Sequence, residues 1–290
     1  MLQAAIKKLT LFAVSALFIS PCFSQNVKEP TNVNPEWSKS YVPFRVVGNV
    51  YYVGTYDLAC YLVVTPEGSI LINTGLASSG LQIKANVEKL GFKFNDIKVL
   101  LTTQAHFDHM GAMAEIKRLT GAKMMIDEKD AQVMEDGGKS DYALGDQYSS
   151  YAPLKADRIL HGGDTVALGG MKLKMLHHPG HTKGSCSFIF DVADGKKKYR
   201  VLIANMPTIV TAHKFSEVIA YPEITADYTY TLQEMKKLTF DIWLSSHASQ
   251  FNLHEKHKPG DSYNPAAFTD RKGYDQSLND LSKAFADHEK

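Results

Sequence analysis

An α/β fold, with two mixed β-sheets and helices packed on their outer faces, is what the order of patterns along this chain of 290 residues predicts. Two observations carry it. Strand and helix patterns alternate through the first half, and hairpin-like strand runs then fill the middle before helices return. In addition, three strand-like runs each stop at a residue suited to metal ligation, as they would if they met at one edge of a sheet sandwich.

The elements follow in order. Residues 44–53, 60–65 and 69–73 are β-rich runs parted by turn signals such as Pro66-Glu67-Gly68. A helix over 79–90 stops at Gly91, where a C-terminal glycine cap belongs. The apolar run 97–103 reads as a strand, 110–119 as a helix closed by Thr120-Gly121, 123–126 as a strand and 128–134 as a helix. Residues 135–153 are polar, rich in Gly, Ser and Tyr, and without period; a loop of that length in a compact domain is often functional. Strands return at 158–160, 165–168, 171–176, 186–190 and 199–203. A helix over 226–238, a strand over 240–244 and a C-terminal helix over 265–286 complete the pattern.

Composition is that of an ordinary globular chain, 44% hydrophobic and 22% charged. Residues 1–24 differ: Lys7-Lys8 precede an apolar stretch over 9–19, then Pro21 and small residues near Ser24. That is the layout of a secretory signal cut between Ser24 and Gln25, too short for a membrane span, leaving a single domain over 25–290 in the periplasm with no stable anchor. A lipid anchor on Cys22 is disfavoured by Pro21. Removing the signal takes two lysines and no acids, so 30 basic and 31 acidic residues remain, a net charge of −1. The run Lys196-Lys197-Lys198 follows Asp194-Gly195 and reads as a solvated hairpin turn, so nucleic acid is not an expected partner. Cys60 and Cys186 lie in apolar strand-like runs and read as buried free thiols.

The chemistry lies in Gln104-Ala105-His106-Phe107-Asp108-His109, which places three strong ligand residues within four positions directly after a strand. His181 follows another strand within Pro179-Gly180-His181-Thr182-Lys183-Gly184-Ser185, and His247 closes Trp243-Leu244-Ser245-Ser246-His247. Six ligands in two groups would hold two zinc ions. No Gly-x-Ser-x-Gly is present to suggest a serine nucleophile.

With Asn73-Thr74-Gly75, these segments match in order and spacing the motif series of the metallo-β-lactamase superfamily. The chain most resembles subclass B3 and, within it, the GOB-type branch that carries Gln as first ligand. Tyr56-Asp57-Leu58-Ala59 and residues 249–254 extend the resemblance across nearly all the mature chain. It implies an αββα sandwich and a zinc hydrolase of penicillins, cephalosporins and carbapenems that confers antibiotic resistance. Gln104, His106 and His181 would form the first zinc site, and Asp108, His109 and His247 the second. Asp108 would also orient the attacking hydroxide.

Two positions depart from the pattern. Met206 stands where many B3 enzymes carry Ser, and Asn73 where the superfamily usually has Asp. Asn73 would support the metal loop with one negative charge fewer, and Gln104 offers an amide oxygen in place of an imidazole. Both changes should weaken the first site more than the second. Thr208 is a candidate for the substrate carboxylate, and Trp37 and Tyr41 could overhang the site. His161 reads as a turn residue and His213, His254, His257 and His288 as surface. His177 or His178 could brace the metal loop without being a ligand. Two other functions remain open: another hydrolase on this scaffold (lactonase or thioesterase), and a non-catalytic periplasmic zinc-binding protein.

Overall fold

The computed structural model describes residues 27–290; the expected signal and its cleavage position lie outside the described residues. Seven strands run side by side in chain order: β1 (Phe44–Val47), β2 (Val50–Tyr52), β3 (Tyr61–Thr65), β4 (Gly68–Ile72), β5 (Ile97–Leu101), β6 (Lys123–Asp127) and β7 (Arg158–Leu160). The first four pair antiparallel; β4 through β7 pair parallel, joined by crossovers that carry α1 (Ser79–Lys89), α2 (Phe107–Met110), α3 (Met113–Thr120) and α4 (Ala131–Asp136). The second sheet is a meander of β8 (Thr165–Leu168), β9 (Met171–His177), β10 (Cys186–Asp194) and β11 (Lys197–Ala204), with β12 (Ile242–Ser245) added parallel to β11. Its outer layer holds α5 (Ile224–Lys237) and α7 (Arg271–His288); a short α6 (Leu253–Lys256) lies between β12 and α7.

Strand periodicity builds the layers. On β4, Ile70 and Ile72 enter the core between the sheets while Leu71 faces the helices; on β5, Val99 and Leu101 do the first and Leu100 the second. Both faces of these strands are therefore buried, which is why they read as continuous apolar runs. The inter-sheet core joins them to Leu173, Phe188 and Ile203 of the second sheet, and α5 and α7 close it with Met235 and Tyr274 around Trp243. The expected αββα sandwich is the one observed.

Several boundaries differ, each for a physical reason. The run 44–53 is a hairpin: Gly48, at φ 52°, turns the chain so that Val47 pairs with Val50. The helix expected over 110–119 is two helices. Gly111 between them donates its N–H to Gly75 O at 2.9 Å, and a Cβ there would strike the backbone of Leu76 and Ala77. The 186–203 segment forms the longer hairpin β10–β11, which turns at Gly195 (φ 61°) beside the lysine run. Cys60 and Cys186 are buried free thiols, as expected. His257, expected at the surface, is buried and stacks on Phe44 with ring centroids 3.6 Å apart. Among the described residues no helix is long and apolar enough to cross a membrane.

Candidate metal centre

Four chain segments reach one edge of the sandwich, at the carboxyl ends of β4, β5, β9 and β12, where ligand sites of open α/β sheets gather. Asn73 follows β4 with φ 61°, a left-handed conformation that Asn tolerates better than most residues. Its Oδ1 accepts Thr103 N at 2.9 Å and Thr102 Oγ1 at 3.3 Å, fixing the chain just before Gln104; its Nδ2 is buried without a partner. Thr103 Oγ1 and Ser246 Oγ, 2.9 Å apart, bind the β5 end to the β12 end, and Cys186 N donates to Thr103 O at 2.8 Å.

All six residues expected as ligands line, or lie directly behind, a cavity of about 370 Å³. Asp108 Oδ2 is 3.2 Å from His109 Nε2 and 3.3 Å from His247 Nε2, and the three donor atoms lie within 4.8 Å of one another. His106 and His181 face each other with ring centroids 4.9 Å apart, and Gln104 lines the same cavity. Each of these two rings has one nitrogen already engaged: His106 Nε2 is 3.3 Å from Asp141 Oδ2, and His181 Nδ1 donates to Thr208 O at 2.7 Å. His247 Nδ1 is 3.2 Å from Asp57 Oδ2. A histidine held by one nitrogen presents the other in a fixed direction, as a metal ligand does. Gln104 Oε1 of the first set is buried with no partner, and His109 Nε2 of the second is buried with only the Asp108 carboxylate near it. Polar atoms of this kind are costly to bury unpaired, and a cation in each donor set would satisfy its own. The residues fit two divalent ions.

Charge around the second set is tightly arranged. Burial opposes ionisation of Asp108, but the charges and hydrogen bonds of His109 and His247 outweigh it and hold its carboxyl well below the usual range. Burial likewise works against the His247 imidazolium, and Asp108 and Asp57 overcome it, raising His247 to about 9. His181 has no such carboxylate partner; burial and the charge of His106 push it down to about 3, so it is a neutral donor.

Several residues outside the expected ligand set organise the centre. Asp57 accepts His247 Nδ1 and, at 3.1 Å, Trp37 Nε1 on Oδ2, and Ser249 N at 2.8 Å on Oδ1. Trp37 thereby overhangs the cavity, whereas Tyr41 packs away from it against Tyr52 and His254. His178 braces the loop before His181 through Ser187 Oγ at 2.7 Å, and His177 pairs with Asp127 at 2.8 Å. Thr208 Oγ1 lies 3.0 Å from His181 Nδ1, and Met206 forms part of the cavity wall.

Asp130 is the clamp between the loops that carry His106 and His181. Its Oδ2 accepts Ala105 N at 2.9 Å and Thr182 Oγ1 at 2.7 Å, and its Oδ1 accepts Gly184 N at 2.8 Å. Gly184 has to be glycine, because a Cβ there would collide with Asp130. Burial raises the Asp130 carboxyl from 3.8 to about 6 despite the Thr182 and Gly184 bonds. A carboxyl with a raised folded pKa contributes stability that is present in acid and lost as the pH climbs through about 6. The difference is on the order of 3 kcal/mol at 1.36 kcal/mol per pH unit. Metal-free wild type and Asp130→Asn should therefore diverge in melting temperature between roughly pH 4 and 6, the variant lacking this acid-side gain. Parallel pH profiles would refute the assignment.

The chain belongs to the metallo-β-lactamase superfamily, whose sequence profile matches residues 54–194. Class B3 enzymes are among its similar solved structures, as the four motifs led us to expect. It is 65% identical to the class B3 di-zinc metallo-β-lactamase LRA-12 from an Alaskan soil metagenome, over 91% of this chain and 100% of that one, with a TM-score of 0.90. It is 57% identical to the metallo-β-lactamase GOB-18 from Elizabethkingia meningoseptica, over 91% and 98% of the two chains, also at 0.90. A hydroxyacylglutathione hydrolase of Haemophilus influenzae is 27% identical over 124 residues, 40% of this chain and 55% of that one.

Proposed function

We propose that this protein is an exported zinc hydrolase that opens the β-lactam amide of penicillins, cephalosporins and carbapenems and so confers antibiotic resistance. The observation that carries it is the convergence of two three-residue donor sets on one cavity, in a chain 65% identical to a di-zinc B3 enzyme. Gln104, His106 and His181 would hold one ion and Asp108, His109 and His247 the other. Zinc, when bound, supplies a Lewis acid and lowers the pKa of water to about 7.

The chain's own residues do the rest. Asp108, held ionised, accepts a hydrogen bond from the attacking water and so aims its oxygen at the lactam carbonyl carbon. The new C–O bond forms as the C–N bond breaks, and the departing nitrogen takes up a proton. Trp37, Phe107, Leu144, Met206 and Val210 form apolar walls that orient a bicyclic substrate and limit water. Thr208 offers its hydroxyl to the substrate carboxylate from the same cavity. Residues 1–24 act as the signal, and the domain over 25–290 works in the periplasm, where β-lactams act on cell-wall synthesis.

The test is a substrate panel on purified mature protein with zinc: a chromogenic cephalosporin, a carbapenem, a lactone and a glutathione thioester, each with and without chelator. Chelator-sensitive ring opening is expected. Turnover of the thioester or lactone alone would transfer the site to another hydrolase of this fold. Zinc uptake without any turnover would leave a binding protein.

A further inference from the structure

We propose that Asp141 is a positioning residue of the first metal site, which sets the ring tautomer of His106. The inference rests on the reading that Gln104, His106 and His181 hold an ion. That donor set is formally neutral. Among the described residues, Asp141 is the carboxylate hydrogen-bonded to it, at 3.3 Å from His106 Nε2, with both side chains about 3% exposed.

The carboxylate is fixed before any metal arrives. Its other oxygen accepts the N–H groups of Ala143 at 2.9 Å and Leu144 at 2.7 Å, from its own loop. The adjoining Tyr142 donates its hydroxyl to Gly180 O at 3.0 Å and His181 O at 3.2 Å. Two consecutive residues thus take hold of both histidines of the first site. The loop can reach them because Gly137 and Gly138, at φ 71° and 94°, let it fold back onto Ser149, Ser150 and Tyr151. Residues 135–153 therefore serve the metal first, and Leu144 brings the same loop to the cavity wall.

The chemistry follows from one proton. With an ionised carboxylate facing Nε2, that nitrogen carries the hydrogen and Nδ1 keeps its lone pair for a metal. In Asp141→Asn the two loop N–H groups hold the amide oxygen on their side, so the amide NH₂ turns to His106. A donor there favours the opposite tautomer, with the hydrogen on Nδ1, and blocks ligation. Asp141→Ala loses the loop bonds but leaves the ring free to choose.

A purely structural role predicts that Ala is the more damaging change; a tautomer-setting role predicts Asn. Zinc affinities of both sites would be measured by competition with a chromophoric chelator on wild type, Asp141→Asn, Asp141→Ala and Asp57→Asn, with metal-free melting curves as the folding check. Expected is a first-site loss of about 10- to 100-fold in Asp141→Asn, a smaller one in Asp141→Ala, and a second-site loss in Asp57→Asn. An unchanged first site in Asp141→Asn, equal loss at both sites, or a greater loss in Asp141→Ala would overturn it. A wild type that takes up one ion only would refute the two-site reading, and this inference with it.

Discussion

Asp108→Asn is expected to reduce kcat/KM for β-lactam hydrolysis by at least about 1,000-fold, equivalent to about 4 kcal/mol of transition-state stabilisation. The substitution keeps the shape and changes the chemistry. Asp108 is an acceptor-only group, with Oδ2 3.2 and 3.3 Å from nitrogens of His109 and His247. An amide there offers either a neutral oxygen, a weaker zinc donor, or an NH₂ group that cannot ligate. It also loses the negative charge that, through an accepted hydrogen bond, aims the attacking water at the carbonyl carbon. Steady-state kinetics on a chromogenic cephalosporin, with zinc content measured on the same samples, checks it. KM should move little, because the apolar walls that bind substrate are untouched. A variant with more than a tenth of wild-type kcat would remove Asp108 from the mechanism.

What the sequence revealed of this site, and what it hid, divides by distance along the chain. Candidate ligands packed into six residues, or set next to Pro179-Gly180 and at the end of a strand, declare themselves through spacing. Their supports do not. Asp57 reaches His247 across 190 residues, Asp141 reaches His106 across 35, and Asp130 joins loops 25 and 54 residues away. No local pattern marks an Asp as the partner of a remote ring; Asp130 sits in Ile126-Asp127-Glu128-Lys129-Asp130, which reads as a polar helix start. The fold was legible because core strands buried on both faces announce themselves by continuous apolar runs. Its punctuation was less so. Gly48 inside a β-rich run and Gly111 inside a helical one each act through a tertiary contact, with Val192 and with Leu76-Ala77, that periodicity does not encode. His257 misled for the same reason: a polar residue in a charged stretch is buried by stacking on Phe44, more than 200 residues earlier.

The two metal sites should fill unequally, with the Asp108, His109 and His247 site first by a factor of at least about 10, and Gln104→His should narrow that gap. Three features point the same way. The second set contains a carboxylate and a histidine backed by Asp57, whereas the first is neutral and, among the described residues, has Asp141 as its carboxylate support. Gln104 contributes an amide oxygen where an imidazole would bind zinc more strongly. Asn73, beneath the Gln104 loop, presents a buried Nδ2 with no partner where a carboxylate would add negative charge. A tenfold gap corresponds to about 1.4 kcal/mol, well within what one weaker ligand produces. Competitive zinc titration resolves the two constants, and activity recorded alongside shows whether the second equivalent is needed for turnover. Gln104→His should tighten the first constant and leave the second within about twofold, since Gln104 Oε1 makes no hydrogen bond to the second set and additivity holds for independent sites. Two equally tight sites in the wild type would defeat the argument. They would mean that the supports supplied by Asp141 and Tyr142 fully compensate for the missing imidazole.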